Sequence, residues 1–122
     1  MKAKPTILFV DDEPVNLMVY ETCFGELCNV LLAQSGAQAL SSLEQNSDIQ
    51  GVFSDIRMPG MDGIEFIGKA KPLYPSITFF VVTGYGMSQD ITSAIEQGLV
   101  SGCFYKPIDM DEVEAAIMRV AR

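Results

Sequence analysis

Thr6-Ile7-Leu8-Phe9-Val10-Asp11-Asp12-Glu13 sets five apolar or β-branched residues in a row and then stops them on three acids. A run in which every side chain is apolar, not every second one, suits a strand covered on both faces, and such strands belong to parallel sheets. Four more short runs share this character: Cys28 to Ala33, Gly51 to Ser54, Ile77 to Val82 and Gly102 to Tyr105. Between them lie helical patterns. Val15, Met18, Val19 and Thr22 share one face of a first helix, with Pro14 suited to its first turn. Ala37, Leu40 and Leu43 mark a second helix. Asp62 is placed to cap a third carrying Ile64, Ile67 and Gly68, and Ser88 a fourth carrying Ile91, Ala94 and Ile95, which Gly98 ends. Asp109 or Asp111 opens the last, with Val113, Ala116, Ile117 and Val120 facing inward. The order is βαβαβαβαβα, and right-handed crossovers then require an α/β fold: a doubly wound five-stranded parallel sheet with helices on both faces.

Composition fits that reading. The 122 residues suffice for one domain, read here as a single unit over residues 1–122. With 48% apolar residues, disorder and low-complexity classes are excluded. A formal charge of −8 repels phosphate backbones and anionic lipid, so neither nucleic acid nor a membrane is an expected partner. No run approaches the ~20 apolar residues of a membrane span. The basic start at Met1 to Lys4 is no secretion signal, because Asp11 and Asp12 cut its apolar run short. Three cysteines (Cys23, Cys28, Cys103) match neither a zinc spacing nor a disulfide framework, which suits a reducing cytoplasm.

In doubly wound sheets the chemistry sits beyond the carboxyl ends of the strands, where the winding reverses. The first strand ends on Asp11-Asp12-Glu13, the third on Asp55, the fourth on Thr83 and the fifth on Lys106-Pro107. A strand order of 2-1-3-4-5 would bring Asp11, Asp12 and Asp55 to one cleft, with Thr83 and Lys106 on its far wall. Carboxylates about 4 Å apart repel by roughly 1 kcal/mol in water and roughly 4 at an effective dielectric of 20. Raising a pKa or binding a cation relieves this; hard oxygen donors with no His nearby point to Mg²⁺. The plainer alternative is one aspartate capping a helix and the others solvated. With a magnesium in place, Asp55 could act as a nucleophile toward a phosphoryl group. Lys106 would neutralise the phosphoryl oxygens, Thr83 would donate to one of them, and Gly84 would leave room for the group.

Four pieces carry a family resemblance: Ile7 to Glu13, Ser54 to Gly63, Val81-Val82-Thr83-Gly84 and Tyr105-Lys106-Pro107. In this order and spacing they resemble the receiver domain of two-component response regulators over essentially the whole length. The resemblance implies the 2-1-3-4-5 strand order of the flavodoxin-like receiver fold. It also implies that Asp55 is the phosphoacceptor, with Asp11 and Asp12 the acid pair and Asp12 the more direct Mg²⁺ ligand. The backbone carbonyl of Arg57 would complete the protein's metal ligands, and Thr83 and Lys106 would hold the phosphoryl group. The Lys106–Pro107 bond is expected to be cis, and Pro59 and Gly60 to shape the loop beneath the site.

As partners the resemblance implies a histidine kinase or phosphotransfer protein, an output domain or downstream protein, and a second copy through the fourth and fifth helices. The domain would accept and slowly lose its own phosphoryl group without being an enzyme with a turnover substrate. Arg57 and Tyr85 would flank the path of the attacking water, and Tyr85 is expected to act as a lid. The family commonly places Tyr or Phe three residues before the site lysine, where this chain has Cys103, too small for a two-position gate. Tyr105, on the same strand face and nearer the site, is expected to replace it; otherwise the fourth helix signals without a rotating ring.

Other phosphoryl and cofactor folds fit less well. A haloacid-dehalogenase-type phosphatase spaces its first-strand aspartates two apart, whereas Asp11 and Asp12 are adjacent. A flavodoxin phosphate loop, a Walker loop and a dinucleotide glycine fingerprint are absent. The remaining alternative is a receiver-like interaction module that works without phosphorylation.

Overall fold

The opening apolar run forms β1 (Thr6–Val10), buried along its whole length. A computed structural model describes residues 4–121; residues 1–3 and Arg122, the two ends of the expected 1–122 unit, lie outside the described residues. The chain continues through α1 (Pro14–Phe24), β2 (Asn29–Ala33), α2 (Gly36–Gln45), β3 (Ile49–Asp55) and α3 (Gly63–Leu73). It then runs through β4 (Thr78–Thr83), α4 (Gln89–Glu96), β5 (Gly102–Tyr105) and α5 (Met110–Val120). All pairings are parallel and the order is β2-β1-β3-β4-β5. The winding therefore reverses between β1 and β3, which puts a crevice beyond Val10 and Asp55. β3 begins two residues earlier than its apolar pattern suggests. Ile49 pairs with Thr6 and Gly51 with Ile7, so Gln50 forms a bulge at the sheet's entry.

Alternate strand residues feed two cores. On one face Leu8, Val10, Val52, Phe79 and Val81 meet Ala39 and Leu43 of α2, Phe66, Ile67 and Ala70 of α3, and Ile91 and Ala94 of α4. On the other, Ile7, Phe9, Phe53, Phe80 and Val82 meet Leu17, Tyr20 and Phe24 of α1 and Val113, Ala116 and Ile117 of α5. An aromatic row crosses this second core. Phe9 stacks on Tyr20 at 4.6 Å and Phe53 at 5.4 Å, and Phe53 stacks on Phe80 at 4.6 Å.

The caps follow the sequence reading. Asp62 accepts from the Glu65 amide, Ser88 from the Ile91 amide, and Asp109 is the residue that opens α5, accepting from Asp111 and Glu112. Gly98, at φ +75°, turns the chain out of α4. The face of α1 differs from expectation. Val15, Met18 and Val19 are exposed, at 68, 66 and 44%, and Thr22 is exposed with them. Leu17, Tyr20 and Phe24 form the buried stripe instead. α1 is apolar on two sides, so periodicity alone does not choose between them; the slots beside Phe9 accept rings, and Tyr20 and Phe24 supply them. Smaller departures occur in α2, where Ala37 is exposed and Ala39 buried, and in α4, where Ile95 is 39% exposed.

Candidate functional site

The ends of β1, β3, β4 and β5 deliver the polar groups of the crevice, at or just after the last residue of each strand. Asp11 follows β1 and is 0% exposed, unusual for a carboxylate unless its oxygens are occupied. They are: one Oδ1–amide bond comes from Glu13 at 2.9 Å, while Oδ2 accepts from Asn16 Nδ2 at 3.1 Å and Lys106 Nζ at 3.3 Å. Asp55 ends β3, buried, with Oδ1 accepting from the Ile56 amide at 2.9 Å and Oδ2 lying 3.1 Å from Lys106 Nζ. Asp12 is half-buried beside them. Carboxylate oxygens of Asp11, Asp12 and Asp55 all lie within 4.8 Å of one another.

Lys106 reaches the crevice from the end of β5. Its amide continues the ladder by donating to the Thr83 carbonyl at 2.8 Å, and its Nζ bridges Asp11 and Asp55. The Lys106–Pro107 peptide is cis, as the resemblance implied. Thr83 ends β4, buried, and its Oγ1 accepts from the Tyr85 amide at 3.1 Å. Gly84 leaves the space beside the Lys106 stem open, the nearest atom to an added Cβ being Lys106 Cδ at 3.9 Å. Gly60, at φ +77°, makes the turn below the site with Pro59.

The electrostatics are unbalanced. Burial first, and then the Asp11 charge, raise the Asp55 carboxyl above its ordinary range; Lys106 and the Ile56 amide oppose this without cancelling it. Burial would lower the Lys106 ammonium, but Asp55 and Asp11 outweigh it and hold Lys106 above the usual lysine value. Three carboxylates against one ammonium leave negative charge in excess. This donor set, all hard oxygen with no thiolate or imidazole in the cluster, fits a small hard divalent cation.

Sequence reasoning placed Asp11, Asp12, Asp55, Thr83 and Lys106 at one crevice; in the structure the side chains of Asp11, Asp12, Asp55 and Lys106 meet there, and Thr83 ends the neighbouring strand, joined to Lys106 through the backbone. That reasoning missed Asn16 as a partner of Asp11, which has no signal beyond its place one turn into α1. It also missed what Gly63 does. A Cβ there would collide with the Asp55 carbonyl oxygen, and the Gly63 amide donates to Ile56 at 2.8 Å, so α3 starts directly under the site. Arg57 and Tyr85 are both on the surface, yet the Arg57 guanidinium lies 4.1 Å from the Tyr85 ring centroid. Tyr105 pairs in register with Thr83 and is 49% exposed, whereas Cys103, one pair earlier on that face, packs half-buried against the α2–α4 core.

Comparison with known proteins agrees with this architecture. The family model described as response regulator receiver domain matches residues 7–118. The transcriptional regulatory protein GlrR of Escherichia coli K12 is 33% identical over 119 residues, which are 96% of this chain and 26% of that protein. The sporulation initiation phosphotransferase F of Bacillus subtilis 168 is 32% identical over 115 residues, 93% of this chain and 90% of that protein. The chain thus spans about a quarter of the length of GlrR but nearly all of the phosphotransferase. Among solved structures, the signal receiver domain of an HD domain-containing protein from Pseudomonas fluorescens Pf-5 superposes with a TM-score of 0.87 at 28% identity, covering 97% of this chain and 94% of that one. The chain belongs to the response regulator receiver domain family of two-component systems.

Proposed function

We propose that this receiver accepts a phosphoryl group on Asp55 from a phosphohistidine of a partner kinase or phosphotransfer protein, and that the modified form changes partner binding. The observation that carries the reading is the setting of Asp55. Its carboxylate sits in an excess of negative charge, with one ammonium already at 3.1 Å from the oxygen that Ile56 does not hold. In the transfer an Asp55 oxygen bonds to phosphorus as the bond from phosphorus to the imidazole nitrogen breaks, the electron pair staying on the ring. Lys106 then exchanges part of its carboxylate contact for the incoming phosphoryl oxygens, and the Thr83 hydroxyl donates to another.

Asp11, Asp12, Asp55 and the Arg57 carbonyl oxygen would hold magnesium. Bound magnesium supplies charge neutralisation to the phosphoryl oxygens as they approach this acidic crevice. The protein's own share is positioning: Asp11 is fixed by Asn16 and the Glu13 amide, and Lys106 by Asp11. Receivers are signalling modules and not turnover enzymes, and hydrolysis of the acyl phosphate resets this one. A reducing cytoplasm suits the three free cysteines. None of the helices among the described residues is long and apolar enough to cross a membrane.

Incubation with acetyl phosphate and Mg²⁺ followed by intact-mass spectrometry tests the reading. Wild type should gain one phosphoryl group and Asp55→Asn none. No adduct in wild type would leave an interaction module that works without phosphorylation.

A further inference from the structure

Thr83 carries the hydroxyl that the proposed chemistry needs, and that hydroxyl is aimed by a segment with little else to hold it. The Tyr85 amide donates to Thr83 Oγ1 at 3.1 Å. With one lone pair taken by this amide, the hydroxyl hydrogen must point elsewhere, and the β-branched side chain turns stiffly about χ1. The position of the Tyr85 backbone therefore holds the Thr83 oxygen and restricts the directions in which it donates.

Gly84 and Gly86 flank Tyr85 on either side. Gly86 sits at φ +78° with no atom within 4 Å of where a Cβ would stand, and Gly84 meets only the Lys106 stem near 4 Å. Neither glycine is fixed by packing, so the segment can hinge on both sides of Tyr85. Tyr85 is 73% exposed, so little of it is held by packing against the core. What it does meet is the Arg57 guanidinium, 4.1 Å from its ring centroid, presented by the loop that follows Asp55. Among the described residues Arg57 makes no ion pair, so this ring is the contact that localises its charge. The two side chains span a groove of about 610 Å³ lined also by Met58, Pro59, Thr83 and Ser88.

We infer that Arg57 and Tyr85 form a cation–π clasp between the β3–α3 and β4–α4 loops, and that the clasp positions the Thr83 hydroxyl for the phosphoryl group. Both are positioning residues: neither side chain needs to touch the reacting atoms. The inference rests on the phosphoacceptor reading for its consequence, but the clasp itself is a property of the unmodified protein.

Two measurements separate these. In the unmodified protein, hydrogen exchange of the Tyr85 amide should quicken about two- to fivefold in Arg57→Ala, the size of an exposed cation–π contact, and stay near wild type in Tyr85→Phe, which keeps the ring face. Arg57→Lys should recover part of the protection. With acetyl phosphate and Mg²⁺, Arg57→Ala should slow phosphorylation by a similar factor, and that effect should vanish in a Thr83→Ala background, where no hydroxyl remains to be aimed. Unchanged Tyr85 exchange in Arg57→Ala overturns the clasp. An Arg57→Ala effect on rate that persists undiminished without the Thr83 hydroxyl overturns the positioning role. If wild type takes up no phosphoryl group, the phosphoacceptor reading fails, and the exchange result by itself upholds or overturns the clasp.

Discussion

Asp12→Asn should stabilise the metal-free protein and abolish most of its response to magnesium. The magnitude follows from the crevice. Asp12 faces two other carboxylates with oxygens within 4.8 Å. A pair at that distance repels by about 0.9 kcal/mol in water and about 3.5 kcal/mol at an effective dielectric of 20. Asp12 is half-buried, so the lower figure applies to each of its two repulsions, together about 1.8 kcal/mol. Loss of a favourable charge just ahead of α1 subtracts about 0.5 kcal/mol. What remains is about 1 kcal/mol or somewhat over, which in a domain of this size raises the thermal midpoint by roughly 4 °C. Magnesium reverses the ranking. Binding only the folded state, it stabilises by about 1.4 kcal/mol at ten times its dissociation constant and about 2.7 at a hundred times. The assay is thermal unfolding in EDTA and across a magnesium titration, for wild type and Asp12→Asn. A wild-type midpoint indifferent to magnesium, or a variant that melts below wild type in EDTA, would refute the argument that these three charges confront one another.

Four further outcomes are expected. Because the folded state holds the Asp55 proton more tightly than the unfolded chain does, metal-free stability should fall as pH rises from the ordinary carboxylate range through the raised Asp55 value; the stability gap between Asp55→Asn and wild type in EDTA should widen over that window, and a flat gap would contradict it. Gly63→Ala should cost about 1–3 kcal/mol in urea unfolding by pushing α3 off the Asp55 backbone, while Gly68→Ala, exposed on the same helix with open space around it, should gain about 0.5–1 kcal/mol. If Tyr105 transmits the switch, Tyr105→Ala should lose most of an affinity ratio of about 5–150-fold between phosphorylated and unmodified protein, measured by titrating a binding partner, whereas Cys103→Ala should keep it. Tyr85→Ala should shorten the lifetime of the acyl phosphate, followed by loss of the mass adduct with time, and an unchanged lifetime would remove the lid role.

Much of this molecule is written locally. Five short runs of mainly apolar and β-branched residues, alternating with helical patterns, point to a parallel sheet with both faces covered, since such a sheet needs no alternation of polarity along its strands. Asp62, Ser88 and Asp109 cap their helices through amides two or three residues on, an interaction whose two ends lie in one short peptide. The five residues of the crevice were legible because each stands at a strand end and the receiver resemblance implied the 2-1-3-4-5 order, which sets the ends of β1, β3, β4 and β5 side by side. Other features depend on surfaces that meet only in the folded chain. Which side of α1 is buried was decided by the ring-shaped slots beside Phe9, not by the helix's own pattern. Asn16 became a partner of Asp11, and Gly63 the residue on which α3 rests against Asp55, through approaches between segments that no periodicity records. The Arg57–Tyr85 stack joins two loops 28 positions apart in sequence, each ordinary in composition. Sequence alone determined what is set by neighbours along the chain and by motifs whose order and spacing match a known family; tertiary structure decided every contact whose partners are chosen by shape across the fold.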